Sequence, residues 1–438
     1  MPMNKYEKWL FTEIALWRDQ GIIDQNQAQQ IRALYQNQPE PAWGKVIFSA
    51  IGAVIFGLGI ILLFAYNWEA MHRFVKLSIV LLSVGITHSL GYYFTAAHST
   101  HKKIGESLHL LGTMLFGAGI WLVAQIYHID EHFPNALLVW AIAALTLAWL
   151  LPSLAHTLLA LVLIAAWHWF EVFDFDISNH FAVWLILLGI FPLAWRQRSP
   201  ATLFFTLVLF LFTYCASYIQ LDENHEASIA SLIFSLTCCY ILCSQLALAS
   251  QFPQASNPIR IVGVSVFSVV LYICSFSDVD DLYFKDNISL LTLSYFLLPI
   301  LFAAASLWLL VTRFKHVLND RTDLIEISIV ILVTIIALLT SIQTLALNSV
   351  SILLYNLLFL AYSMLLIYRG IRILRWQSTA LGTLLLSAFV FARFMDLFDS
   401  LLMRGMAFIV IGTLLFGVGL YYSRQKQKVA SEGYHHAE

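Results

Sequence analysis

The sequence predicts an all-α, polytopic integral membrane protein of about fourteen transmembrane helices, with a small helical hairpin ahead of them. Three observations carry this reading. Sixty per cent of the 438 residues are hydrophobic and only 11% are charged, against roughly 25% charged in soluble proteins. So little charge cannot cover a water-facing surface of this size. From Val46 onward the apolar residues fall into fourteen runs, most near the roughly 20 residues that carry a helix across about 30 Å of hydrocarbon. The basic residues also alternate from loop to loop, as the positive-inside rule requires.

Residues 1–45 read as a cytoplasmic helical hairpin. A first helix, about Asn4 to Gln20, brings Trp9, Leu10, Glu13, Ile14 and Trp17 to one side, and Gly21 is placed to end it. Asp24-Gln-Asn-Gln27 then matches a capping box, with Asp24 as N-cap and Gln27 reaching back. The second helix runs to about Gln36, and Pro39-Glu-Pro41 forms a stiff linker. No secretory signal is read in this charged, amphipathic start. The hairpin can simply stabilise the cytoplasmic face, regulate, or dock a cytoplasmic or membrane partner.

The bundle, residues 46–422, has its apolar segments near 46–66, 74–95, 106–127, 135–150, 153–170, 180–195, 200–219, 227–248, 258–275, 288–311, 325–343, 347–368, 377–394 and 404–422. The fourth, fifth and sixth are short. With the N-terminus inside, 19 of the 24 Lys and Arg fall in cytoplasmic segments. The other side collects acids such as Glu171, Asp174, Asp176, Asp278, Asp280 and Asp281. A missed helix would reverse this bias downstream, and no reversal occurs, which predicts N-in, C-in topology. The tail, 423–438, reads as a disordered cytoplasmic segment.

A net charge of −2 carries no signal for nucleic-acid binding. The five cysteines lie in apolar runs without a loop-based CxxC spacing, so neither disulfides nor a metal site is expected. No Walker A sequence and no other cofactor motif occurs. Membrane lipids are the expected surroundings.

One glycine-marked helix appears three times: Gly52, Phe56, Gly57 and Gly59; Gly112, Phe116, Gly117 and Gly119; Gly412, Phe416, Gly417 and Gly419. At 100° per residue, glycines seven apart fall within about 20° of each other. Each copy therefore carries a small-residue stripe along which another helix can pack closely.

Polar residues cluster at the predicted outer ends of the spans. Asn67, Trp68 and Glu69 follow the first span, while Gln125, Tyr127, His128 and Asp130 follow the third, with Glu131 and His132 just beyond them. Arg393 and Asp396, three apart at the end of the thirteenth, can pair on one helix face. These three groups are the candidate substrate-binding residues, and no catalytic residue is assigned. The competing reading is an interfacial belt of Trp, Tyr and solvated charges. His88 and His109 can relay a proton or simply pack. Glu106 and Glu326 sit where interfacial water would solvate them, and Asn356 and Gln343 fit helix–helix hydrogen bonds.

Gly21-Ile-Ile-Asp24, Gly57-Leu-Gly59, Ala65-Tyr-Asn67-Trp68, the run from Gly117 through Trp121 and Gln125 to His128, and Leu138-Val-Trp140-Ala141 together resemble the bacterial membrane proteins grouped as domain-of-unknown-function family 2157. The resemblance is specific over about residues 5–170 and mainly topological beyond. It implies a bacterial cytoplasmic (inner) membrane and supplies no activity.

Three function classes remain. The leading one is a transporter or flippase-like carrier, because fourteen spans, short loops, glycine-permitted close packing and a polar outer pocket suit alternating access. The scarcity of deep membrane charges counts against ion coupling and suits an amphipathic or lipid-linked substrate better than a small ion. A sensor, scaffold or assembly partner would need no cavity. An enzyme acting on a lipid-linked donor would need an acid or base at the membrane surface, such as Glu69, His128 or Asp130.

Overall fold

The computed structural model describes residues 5–36, 71–96, 102–128, 132–151, 153–221, 226–276, 290–314, 318, 320–341, 348–373, 375–397 and 401–435. It divides into two compact units, Met1–Ser78 and Ile79–Glu438.

The first unit holds α1 (Lys5–Asp19) and α2 (Gln25–Gln36). Gly21 takes φ +71, the left-handed conformation that ends a helix most cheaply when no Cβ is present. The Ile22 amide donates to the Trp17 carbonyl at 2.9 Å and the Gly21 amide to Arg18 at 3.0 Å, which satisfies two carbonyls at the end of α1. The capping box forms as the spacing predicts. The Gln27 amide donates to Asp24 Oδ1 at 2.7 Å and the Asp24 amide to Gln27 Oε1 at 2.9 Å. Ile14 and Ala28 are buried in this hairpin. The first apolar segment, near 46–66, lies outside the described residues, with Gly52, Gly57, Gly59, Asn67, Trp68 and Glu69.

The bundle helices are α3 (Arg73–Ala96), α4 (Lys102–Tyr127), α5 (Pro134–Leu150), α6 (Leu154–Trp169), α7 (Phe181–Arg196), α8 (Pro200–Ile219), α9 (Glu226–Leu248), α10 (Ser256–Cys274), α11 (Leu290–Thr312), α12 (Arg321–Ser341), α13 (Asn348–Arg372), α14 (Trp376–Leu397) and α15 (Leu401–His435). Among the described residues nine helices are long and apolar enough to cross a membrane, and α5 and α7 are shorter apolar helices. Every apolar segment from 74 onward coincides with a helix. The protein is therefore a multispanning helical membrane protein. Two extents differ from expectation. A wide turn, Phe170–Asp174, lengthens the fifth segment to Leu154–Asp174. The last helix continues past 422 to His435, because the Arg-Gln-Lys-Gln-Lys run from 424 to 428 consists of good helix formers.

Two apolar cores fill the bundle. One joins α5 to α11 around Leu161, Ile186, Leu203 and Tyr218; the other joins α9 to α14 around Phe234, Phe267, Phe359 and Tyr362. Large apolar side chains such as Leu82, Leu301, Trp308 and Leu353 remain exposed, a perimeter suited to lipid. Hydroxyls within the helices turn back on the chain: Thr87, Thr206, Ser268, Thr334 and Ser363 each donate to the carbonyl four residues earlier. Their hydrogen-bonding need is thus met without water.

Pro299 stands inside α11. It has no N–H, so the Tyr295 carbonyl loses its helical donor. The Tyr214 hydroxyl of α8 donates to that carbonyl at 2.8 Å and ties the two helices together where the helical hydrogen bond is missing.

The second glycine copy packs closely. A Cβ at Gly112 would stand 2.7 Å from His88 Nε2, one at Gly119 2.6 Å from Val80 Cγ1, and one at Gly117 would overlap the Trp140 indole. The Trp140 indole N–H donates to the Thr113 carbonyl at 2.9 Å. The third copy differs. A Cβ at Gly412, Gly417 or Gly419 would meet nothing within 4 Å, and Gly419 lines an open cavity shared with α14, so this stripe is not in close contact with a described helix. The tight crossing in that half lies between α13 and α14. There a Cβ at Gly382 would come within 2.9 Å of the Ile367 amide nitrogen and one at Gly370 would overlap Thr379.

Candidate functional site

A large cavity with one polar end lies along α3, α4 and α5. Its volume is about 1000 Å³, with walls that include Val80 and Val84 of α3, Phe116 and Ile120 of α4, and Val139 of α5. Its polar lining collects at one end: Gln125, His128, His132 and Asn135. The sequence places these groups there by ending α4 and starting α5 within a few residues. His128 terminates α4 at φ 52, a left-handed conformation rarely adopted by non-glycine residues, among which His is enriched. Pro134 opens α5 at a position where a missing N–H costs nothing.

His132 is held from behind. Its Nε2 lies 2.9 Å from Glu171 Oε2, and Glu171 Oε1 accepts from the Trp167 indole N–H at 2.9 Å. The carboxylate is buried while the imidazole is about a quarter exposed. Glu171 can turn inward because it sits in the wide turn after α6, where one extra residue per turn redirects the side chain. Phe175 packs edge-on against the imidazole at 4.2 Å between ring centroids. The result is an oriented imidazole at the mouth of an apolar groove, an arrangement that can hold an anionic or hydroxyl-bearing headgroup over an apolar chain.

Of the residues singled out from the sequence, Gln125, His128 and His132 line this groove, whereas Tyr127 is exposed beside it. Asp130 lies outside the described residues, as does the side chain of Asp396. Arg393 belongs to a different place. Its Nη2 donates to the Ser275 carbonyl at 2.5 Å and to Asn356 Oδ1 at 2.8 Å, and its guanidinium lies 4.3 Å from the centre of the Phe276 ring. Asn356 serves as the expected interhelical partner. Arg393 thus joins the ends of α10 and α14 to the third turn of α13.

Glu326 departs from expectation. Its side chain is only 1% exposed, sealed from water, and sits between two arginines. Arg260 Nη2 meets its Oε1 at 2.7 Å, Arg369 Nη1 meets its Oε2, and Arg369 Nη2 meets Asp323 Oδ1 at 2.5 Å. The Tyr362 hydroxyl lies 3.4 Å from the same Glu326 oxygen, Oε1. Two cations and two anions from α10, α12 and α13 balance at this end of the bundle. The sequence reading missed the cluster because each charge stands near a helix end, where loop solvation explains it. The available signal was the Asp323/Glu326 pair, three apart on one helix face.

His88 and His109 face each other, Nδ1 to Nδ1 at 3.1 Å. The Thr113 hydroxyl, which donates to the His109 carbonyl, lies 3.1 Å from His156 Nε2. Three imidazoles are thereby gathered where α3, α4 and α6 meet. Cys239 and Cys243 lie 3.9 Å apart. Among the described residues no three His, Cys, Asp or Glu side chains are placed to hold a metal ion.

Residues 15–157 match the family described as a predicted membrane protein (DUF2157), a stretch that contains the whole lining of the groove. No curated protein and no solved structure matches the chain.

Proposed function

We propose that the protein is a carrier of the transporter or flippase type, moving an amphipathic or lipid-linked molecule that seats in the groove of α3, α4 and α5. The observation that carries this reading is the groove's lengthwise division, apolar along the helices and polar only at the Gln125–His128–His132–Asn135 end. A lipid-like substrate has the same division. A small ion would need charges at mid-depth, and the described lining of the groove has none. The reading places the chain in a bacterial cytoplasmic membrane with both termini inside and the polar end of the groove outward, following the charge bias.

The test is translocation of a fluorescent phospholipid in proteoliposomes, followed by quenching from one side. Wild type should flip the probe faster than protein-free liposomes. Val84→Trp, which fills the groove, should lower that rate at least tenfold while the protein still reconstitutes. A wild-type rate equal to that of empty liposomes, across neutral and anionic headgroups, would remove the carrier reading and leave a sensor or scaffold.

A further inference from the structure

A second cavity, of about 470 Å³, opens between α10 and α14 beside the buried charge cluster. Its polar lining is Asn257, Arg260, Ser265, Arg375, Gln377 and Ser378, and no carboxylate is among the lining residues. Arg260 spends Nη2 on Glu326, but its Nη1 is buried and has no hydrogen-bond partner among the described residues. A desolvated guanidinium N–H without an acceptor is costly, and Arg260 lines the cavity. Arg375 brings a second positive charge. Its guanidinium reaches only as far as the neutral Asn257 Oδ1, at 3.5 Å, so no carboxylate among the described residues offsets it there. Gln377 and Ser378 belong to the first turn of α14, where backbone N–H groups point out of the helix and favour an anion. The opposite wall is apolar, formed by Ile261, Val264, Leu366 and Leu381.

We propose that this cavity binds a phosphate group, clamped between Arg260 Nη1 and Arg375 and completed by the first turn of α14. The phosphate belongs either to an anionic phospholipid, whose chain would follow the apolar wall, or to a soluble phosphate ester. The site is separate from the groove, and the inference does not rest on the carrier reading. It has the features expected of a regulatory or anchoring site: the ligand touches Arg260 directly and would be sensed by Glu326 and Arg369 behind it.

Two measurements on the full chain test this. The first is native mass spectrometry of protein released from nanodiscs of phosphatidylglycerol and phosphatidylcholine in equal amounts. The second is the thermal unfolding midpoint in inorganic phosphate against chloride at the same ionic strength. Selective retention of phosphatidylglycerol, reduced roughly tenfold by Arg375→Gln and unchanged by Arg372→Gln, supports a lipid source. Arg375 is exposed, so its substitution leaves the fold intact, and Arg372 pairs with Asp320 instead. A saturable rise of the midpoint in phosphate that Arg375→Gln abolishes, without lipid preference, supports a soluble source. Equal retention of both lipids together with no phosphate-dependent shift overturns the proposal, as does a preference that Arg375→Gln leaves unchanged.

Discussion

Glu326 holds two guanidinium groups out of water, and the consequence of removing its charge follows from that burial. In Glu326→Gln, Arg260 loses the carboxylate it pairs with and Arg369 keeps only Asp323. Breaking a buried pair on one side costs about 3–5 kcal/mol, chiefly because the remaining charge stays desolvated. Asp320→Asn makes the contrast. Its partner Arg372 is half exposed and Asp320 about a quarter exposed, so water replaces what is lost and the change should stay within about 1 kcal/mol. Unfolding of both variants in mixed micelles, followed by tryptophan fluorescence, should separate them clearly; equal stability would mean that the Glu326 site is hydrated. Tyr214→Phe isolates a third kind of residue effect. It removes the donor that the Tyr295 carbonyl receives in place of the missing Pro299 N–H, at an expected cost of about 1 kcal/mol. The double variant Tyr214→Phe/Pro299→Ala should recover most of that loss in the same assay, because a helical N–H then returns to the carbonyl.

At the scale of the helix, the repeated glycine motif separates what a sequence pattern can say from what packing decides. Gly112 and Gly412 occupy the same motif position, but only the first is pressed against another helix, with His88 Nε2 at 2.7 Å from a built Cβ. Gly112→Ala should therefore destabilise the bundle by about 1–3 kcal/mol through overpacking. Gly412→Ala should be neutral or slightly stabilising, since Ala is the better helix former by about 1 kcal/mol. Thermal inactivation profiles of the two variants, measured side by side, should diverge; coincident profiles would show that the stripe of α4 has slack. The motif was legible because three glycine spacings can be counted along a chain. Which copy finds a neighbour was not, since that depends on helices distant in sequence. For the same reason Gly370 and Gly382, which carry the tight α13–α14 crossing, stood out in no pattern. The groove was half legible. Gln125, His128 and His132 are polar residues at or just past the end of an apolar run and declared themselves. The support behind His132 was not legible, because Glu171 lies 39 residues later and the wide turn that points it inward leaves no mark in hydropathy.

For the whole molecule, hydropathy located every apolar segment that the structure describes as a helix, because twenty consecutive apolar residues admit few alternatives in lipid. Sidedness is a separate matter and rests on charge alone. The demanding case is α7, Phe181–Arg196, a helix of 16 residues that rises only about 24 Å. If it crosses, three helices separate the loop before α7 from the loop between α9 and α10, and the two loops lie on opposite sides. If it lies within one leaflet, they share a side. Asp174 and Asp176 precede α7, Arg196 is its last residue and Arg198 follows it, the distribution of a crossing helix with its basic end inside. Bilayer thinning or polar residues reaching toward the surface accommodate a mismatch of a few ångströms at modest cost. Single cysteines at Ser178 and Gln251, both exposed positions, put this to a direct test with a membrane-impermeant maleimide on intact cells. The native cysteines Cys215, Cys238 and Cys274 are buried, and Cys239 and Cys243 are half-buried within an apolar helix, so they should stay unlabelled. Ser178→Cys should react from outside, and Gln251→Cys only after permeabilisation. Labelling of both before permeabilisation would place α7 within one leaflet and reverse the orientation of every helix after it.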